Sequence, residues 1–283
     1  PAMNKSGLAR NTYFMQCVIV LLTNVVLSTT LTATELPYEL LDKPQPGALV
    51  RGKVESGTQV WLGDKPLKLS PSGYFVFGLG RDDKTMPPLR WQQKGLEGQV
   101  SYALPLREYA IQRIDGLPDN MVSPSQQALT RIRIDNRQVS QARRVDSDFD
   151  FFAQSYIWPA EGPLSGVYGS QRVLNGQPKR PHFGVDVAAP TGTPVVAPAD
   201  GVVTLWVSDM YYSGGTLIID HGHQVSSTFI HLHSSHVKQG DKVKQGQLIA
   251  EIGATGRVTG AHLDWRINWG KVRVDPALLV PPR

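Results

Sequence analysis

Residues 181–203 read PHFGVDVAAPTGTPVVAPADGVV. Short runs of Val and Ala alternate with Pro, Gly and Asp, a pattern of brief strands and tight turns rather than helix. Within the first run His182 and Asp186 stand four residues apart. In an extended strand residues i, i+2 and i+4 share a face, so both side chains are expected to point the same way. Gly184 between them leaves room on that face for an ion or a substrate. Histidine and carboxylate are two of the usual zinc-ligand types. As an isolated pair they fit an ordinary hydrogen bond equally well.

The same arrangement recurs downstream. FIHLH (229–233) carries His231 and His233 two apart, and AHLD (261–264) carries His262 and Asp264 two apart. All seven histidines follow Trp158. Strand-like runs are expected at 194–197, 201–207, 216–219, 224–231, 248–252 and 262–267. Three segments that each project paired ligand-type residues, in one Gly-rich β region, argue for a shared site. His221 reads as a residue shaping the turn before the next strand. His223 and His236 read as exposed loop residues, and Trp265 and Trp269 as core or groove-wall aromatics.

Upstream the chain has a different character. Short strands are expected at 49–54, 59–62, 73–78 and 99–104, with a turn at SPSG (70–73). This suggests a small all-β domain of sandwich type, residues 36–115, with no chemistry of its own. A helical connector follows at 120–150. Ser123 is expected to cap it, with Pro124 at the first helical position and Gln126 completing a capping box. Leu129, Ile132, Val139 and Ala142 supply its apolar stripe. The run Arg131, Arg133, Arg137, Arg143 and Arg144 reads as a solvated face, with contact to an anionic envelope polymer as the sharper alternative. DSDFDFF (146–152) is expected to end the helix near Asp150.

The first 33 residues read as a cloning scar (Pro1, Ala2) followed by a signal peptide. Lys5 and Arg10 form its basic region, 14–27 its apolar stretch and 31–33 a small-residue cleavage site. The apolar stretch is short for a membrane span and is interrupted by polar residues. Removal of the segment would lower the formal charge from +5 to +3, too mild to argue for nucleic acid. It would also remove Cys17, the only cysteine. That leaves no disulfide, no catalytic thiol and no Cys-based zinc site.

Three stretches together, PHFGVDVAAPTGTPVVAPADGVV (181–203), GGTLIIDHGHQVSSTFIHLH (214–233) and VKQGDKVKQGQLIAEIGATGRVTGAHLDW (237–265), resemble the LytM/lysostaphin-type metallopeptidases of family M23. The resemblance covers about residues 158–276. It implies a mainly β chain: an antiparallel LytM-like β domain at 151–283, preceded by the small β domain and the connector. It implies Zn²⁺ held by His182 and Asp186, with His231 and His262 catalytic. It also implies hydrolysis of the peptide cross-links of peptidoglycan in a periplasmic or other extracytoplasmic setting. Where the family usually has its third ligand, a histidine, this chain has Asp264. A carboxylate oxygen lies as many bonds from the backbone as a histidine Nδ1, and carboxylate is an accepted zinc ligand, so Asp264 is expected to be the third ligand. His233, on the strand of His231, is the substitute if it is not. A His/Asp/Asp set leaves the zinc site neutral, where His/His/Asp leaves it at +1. The polar segment 169–181 reads as a groove-lining loop, with Arg172 and Asn175 as candidate substrate contacts.

The stretch 237–253 also resembles the turn of biotinyl and lipoyl carriers, but no lysine sits at an exposed tip with the flanking apolar pair, so a carrier role is set aside. Two other classes stand beside the enzyme: a non-catalytic M23-like regulator that activates a cell-wall hydrolase, with envelope proteins as partners, and a wall-anchoring module in which residues 36–150 carry the function. The bond cleaved and the oligomeric state are not encoded in any motif.

Overall fold

A computed structural model describes residues 36–114 and 125–283. The expected signal segment, and Ser123 and Pro124 of the expected capping box, lie outside the described residues. In chain order the strands are β1 (Tyr38–Leu40), β2 (Leu49–Val54), β3 (Thr58–Leu62), β4 (Lys65–Pro66), β5 (Tyr74–Gly78), β6 (Leu89–Gln93), β7 (Leu96–Val100) and β8 (Ile111–Ile114). A helix, α1 (Gln126–Ala142), separates them from β9 (Leu164–Gly166), β10 (Gln171–Leu174), β11 (Gln177–Pro178), β12 (Val185–Ala188), β13 (Pro194–Val196) and β14 (Gly201–Met210). β15 (Gly214–Gly222), β16 (Val225–Ser235), β17 (Lys242–Val243), β18 (Leu248–Ile252), β19 (His262–Trp269) and β20 (Val272–Val274) complete the chain. The protein is mainly β, as the sequence indicates.

The N-terminal strands form two small antiparallel sheets, β1-β2-β5 and β4-β3-β6-β7. Val50, Phe75 and Phe77 of the first sheet meet Val60 and Leu89 of the second in one core. Because strand side chains alternate in direction, Leu49 and Val76 point the other way. They join the core of the C-terminal half beside Val187, Phe229, Leu263 and Trp265. The β1-β2-β5 sheet is therefore buried on both faces, a middle layer between two cores, and residues 36–283 form one compact unit. Arg51 closes the seam. Its guanidinium reaches Asp42 at 2.7 Å and the carbonyl oxygen of Gln154 at 2.6 Å.

The C-terminal half is built on a large antiparallel sheet, order β17-β14-β15-β16-β19-β12-β9, with the β13/β18 pair joined through β16 and β20 along β19. β15, between β14 and β16, is buried along its whole length; Val139 and Ala142 of α1 pack with Leu205 and Met210 of β14 and Ile218 of β15. Ser125, not Ser123, caps α1 by accepting a bond from the Ala128 amide at 3.2 Å. The helix stops at Ala142, well before Asp150. Arg143 is not part of a solvated face: its guanidinium donates to the Thr228 hydroxyl on β16 at 2.8 Å. Burial first, and then the charges of Arg273 and Arg266, push it down to about 9.

His221 is fully buried at the end of β15, with its ring nitrogens on the Asp200 carbonyl (2.7 Å) and the Ser227 hydroxyl (2.8 Å). Burial pushes its pKa from 6.5 down to about 4, against the smaller upward pull of Asp200. The folded protein thus holds a neutral imidazole that the unfolded chain protonates below about 6.5, so stability is lost as pH falls from about 6.5 to about 4. The full shift corresponds to on the order of 3 kcal/mol. In urea titrations across this window, a His221→Gln variant should show a shallower loss of stability than the parent. An equal slope would remove His221 from the acid response.

Candidate metal centre

β12 and β19 run antiparallel in a register that sets Asp186 directly opposite Asp264. Opposed residues on such a ladder share a face, with Cβ atoms about 5 Å apart. Two like charges there repel unless something positive lies between or beside them. His182 joins them from the segment before β12, not from the strand itself. The expected strand face begins only at Val185. What aims His182 is its backbone: its amide donates to the Ser170 carbonyl at 2.9 Å, and its carbonyl accepts from the Gly169 amide at 2.7 Å. One ligand-type atom each from His182, Asp186 and Asp264 lies within 4.8 Å of the others, and all three residues are buried.

The donors fit a small divalent cation. His182 Nε2 and Asp186 Oδ1 face each other at 3.1 Å. Both atoms are cut off from solvent and neither makes a well-formed hydrogen bond. One imidazole and two carboxylates are a zinc-type donor set. Glycine makes the carboxylate positions possible. A Cβ on Gly166 would come within 2.2 Å of Asp186 Oδ2, and one on Gly184 within 2.5 Å of Asp264 Oδ1 and 2.7 Å of Arg266 Cγ. The space at Gly184 that the sequence assigned to an ion or a substrate is filled by Asp264 and Arg266.

Each carboxylate also has a guanidinium beside it. Arg266 grips Asp264 with two bonds, Nε to Oδ1 at 2.9 Å and Nη2 to Oδ2 at 2.5 Å. Burial alone would raise the Asp264 pKa, but the charge and hydrogen bonds of Arg266 outweigh it and hold the carboxyl well below its ordinary value. Arg172 Nη2 lies 3.0 Å from His182 Nδ1 and 3.7 Å from Asp186 Oδ2. Guanidinium only donates, so this contact places the His182 proton on Nε2. A metal on Nε2 needs that nitrogen bare, which requires Arg172 to move aside. Its side chain is one-third exposed.

His231 and His262 stand together next to this cluster, ring centroids 4.8 Å apart. Both are tied through Nδ1 to backbone carbonyls, His231 to Thr255 at 2.9 Å and His262 to Gly260 at 2.9 Å. A carbonyl only accepts, so each Nδ1 carries the proton and each Nε2 keeps its lone pair. His231 has a left-handed backbone, φ 66°, at an irregular stretch where β16 shifts register against its neighbours. Such strain in a non-glycine residue persists only where the surroundings impose it. The irregularity breaks the expected alternation: His231 is buried, while His233 is exposed and is absent from the cluster. Burial drives His231 down to about 4, against an upward pull from Asp264, so its imidazole is neutral at neutral pH.

The other expectations divide. Residues 171–178 form a hairpin, β10 and β11, turned by Asn175-Gly176, both with positive φ. The Asn-Gly pair is the signal that reading 169–181 as a loop overlooked. Arg172 points at His182, and Asn175 is exposed at the turn. β10 also pairs in parallel with β8, so the strand carrying Arg172 is held by a strand from the N-terminal half. His223 is buried against Phe152, centroids 4.8 Å apart, and is no loop residue in solvent. His236 is exposed and pairs with Glu251 at 3.2 Å. Trp265 is a fully buried core residue. Trp269 is half-buried under Lys65, 4.2 Å above its ring. Arg266 carried no weight in the sequence reading, although its two-residue spacing from Asp264 on one strand could have flagged it.

Residues 180–276 match peptidase family M23. The match lies in the C-terminal region of the chain. A crystal structure from Pseudomonas aeruginosa assigned to peptidase M23 superposes with a TM-score of 0.64 at 28% identity. It covers 84% of this chain and 96% of its own, so the likeness extends into the N-terminal strands. Peptidoglycan DD-endopeptidase ShyA of Vibrio cholerae is 44% identical over 110 residues, 36% of this chain and 25% of ShyA. Cell division protein DipM of Caulobacter vibrioides is 30% identical over 132 residues, 44% of this chain and 21% of DipM. The matched stretch thus spans about a quarter of these curated relatives' length. Among the described residues no helix is long and apolar enough to cross a membrane.

Gly184 tests the packing of the site without reference to activity. Gly184→Ala should push Asp264 or the Trp265 backbone aside and lower stability by about 1–3 kcal/mol. Thermal melting of the two proteins measures it. Melting of the variant at or above the parent temperature would show that the site has slack the geometry denies.

Proposed function

We propose that the chain is an exported zinc metalloendopeptidase that cleaves peptide cross-links of peptidoglycan. The observation that carries this reading is the buried triad of His182, Asp186 and Asp264, with the bare Nε2 atoms of His231 and His262 beside it. The family match and the named DD-endopeptidase relative support the substrate class. The apolar segment near the N-terminus supports export.

Zinc held by His182, Asp186 and Asp264 would supply Lewis-acid polarisation of the scissile carbonyl and an activated water. The remaining work falls to the chain's own side chains. His231, neutral at working pH, can accept a proton at Nε2 while Thr255 fixes its ring. His262, held in the same tautomer by Gly260, can accept or donate at its own Nε2 and steady the developing oxyanion once protonated. The low value of His231 suits a group that must be unprotonated when substrate arrives. Arg172 and Asn175, on the β10–β11 hairpin, are the side chains we propose to meet the peptide once Arg172 has left His182.

A second reading has its own observation. Each carboxylate already has a guanidinium partner, Arg172 for Asp186 and Arg266 for Asp264, which would serve a site that never takes metal and a chain that regulates another cell-wall hydrolase. Metal content separates the two. Protein purified and dialysed against zinc should retain about one ion per chain, and His182→Ala should retain almost none while staying folded. Zinc retained in full by His182→Ala would sink the ligand assignment, and a parent that never binds zinc would favour the regulator.

Activity is tested on purified sacculi, with released muropeptides separated and identified. The zinc-loaded parent should convert cross-linked muropeptides to monomers. His231→Ala and His262→Ala should each slow this by about 10²-fold or more, the usual scale for losing a general acid or base, with zinc content near that of the parent. Parent-like rates in both variants would remove the two histidines from the chemistry.

A further inference from the structure

The Asp264–Arg266 pair asks for an explanation that three metal ligands alone do not supply. Arg266 lies two residues beyond Asp264 on the same face of β19, and its fork fits the carboxylate with one N–H on each oxygen. Gly184 across the ladder leaves the space that the pair occupies. A carboxylate oxygen has two lone-pair directions, so the fork leaves one on each oxygen for an ion. Lysine could supply the charge but not the planar two-point grip.

We propose that Arg266 is the built-in counter-charge of a carboxylate third ligand: it holds Asp264 in place and keeps the loaded site at the net charge that two histidines and one aspartate would leave. The inference rests on the reading of His182, Asp186 and Asp264 as metal ligands. A divalent ion with two aspartates is neutral, and the permanently charged guanidinium restores the single positive charge. On this proposal the loaded site carries one positive charge, where the ligand count alone gives a neutral one. In the metal-free protein the same guanidinium offsets the repulsion between the facing Asp186 and Asp264.

Two effects of Arg266 on metal affinity oppose each other. Its grip orients the ligand, which favours binding. Its charge repels a divalent cation a few ångströms away inside a poorly screened site, which disfavours it. The charge effect acts on a doubly charged ion and is the larger.

The test titrates zinc into chelator-stripped protein against a competing chromophoric chelator, and follows melting of the metal-free form by circular dichroism. Arg266→Gln should bind zinc at least about tenfold more tightly than the parent and should melt several degrees lower without metal. Arg266→Lys, which keeps the charge, should stay within about threefold of the parent affinity. Unchanged or weaker binding by Arg266→Gln, or Arg266→Lys behaving like Arg266→Gln, would overturn the proposal. If Arg266→Gln does not fold, Asp264→Asn is compared with the Asp264→Asn/Arg266→Gln double variant. The double variant should bind zinc more tightly, and equal affinities would overturn the counter-charge. Absence of zinc binding in the parent and every variant is a different result, because it overturns the metal reading itself.

Discussion

Two carboxylates facing each other across one antiparallel ladder are the constraint around which this site is organised. The register of β12 and β19 places Asp186 opposite Asp264, and both are buried. Buried like charges at that spacing are destabilising unless offset. Every unusual feature nearby answers to that problem. Arg266 grips one carboxylate and Arg172 approaches the other. Gly166 and Gly184 stand where any larger residue would strike a carboxylate oxygen. His182 turns its Nε2 toward Asp186 with no other partner. On the proposed reading, a divalent cation between the three residues would complete the same balance from the inside.

The rest of the fold makes this arrangement stiff. β12, β19 and β16 are adjacent in a sheet whose inner face is filled by Val187, Leu263, Phe229 and Trp265. The sheet β1-β2-β5 packs against the same core through Leu49 and Val76. The N-terminal strands thus stiffen the site from behind and, through β8 on β10, hold the strand of Arg172 from the side. Backbone carbonyls of Thr255 and Gly260 fix the tautomers of His231 and His262 without help from any acid.

Much of this was legible in the sequence, and the limits have physical causes. The 49–54 and 248–252 strands appear with the expected bounds because each is a short run with aliphatic residues at both ends, closed by turn residues. The strand Leu89–Gln93 was missed, since its outward residues Arg90 and Gln92 make it look like a loop. The strand expected at 99–104 instead pairs as Leu96–Val100, in a register set by the positive-φ turn at Lys94-Gly95. Alternation placed His231 and His233 on one face, but the left-handed backbone at His231 breaks the count. A period of two cannot foresee its own irregularities. The pairs His182/Asp186, His231/His233 and His262/Asp264 are visible as motif spacing, and the resemblance to family M23 is what implies separate roles for His182, Asp186, Asp264, His231 and His262. The role of Arg143 is not legible, because an arginine at a helix end carries no sign of the partner that tertiary packing brings to it, and that of Arg266 is signalled only by its two-residue spacing from Asp264.

The most direct test of the account is the donor set of the ion itself. X-ray absorption at the zinc edge, on the zinc-loaded full chain, distinguishes imidazole from carboxylate ligation. The expected first shell has one imidazole nitrogen and two carboxylate oxygens at about 2.0–2.2 Å with one further light atom, and loss of one oxygen in Asp264→Ala. A shell with two or more imidazoles that is unaltered in Asp264→Ala would contradict it, since the ion would then sit on histidines away from the facing carboxylates.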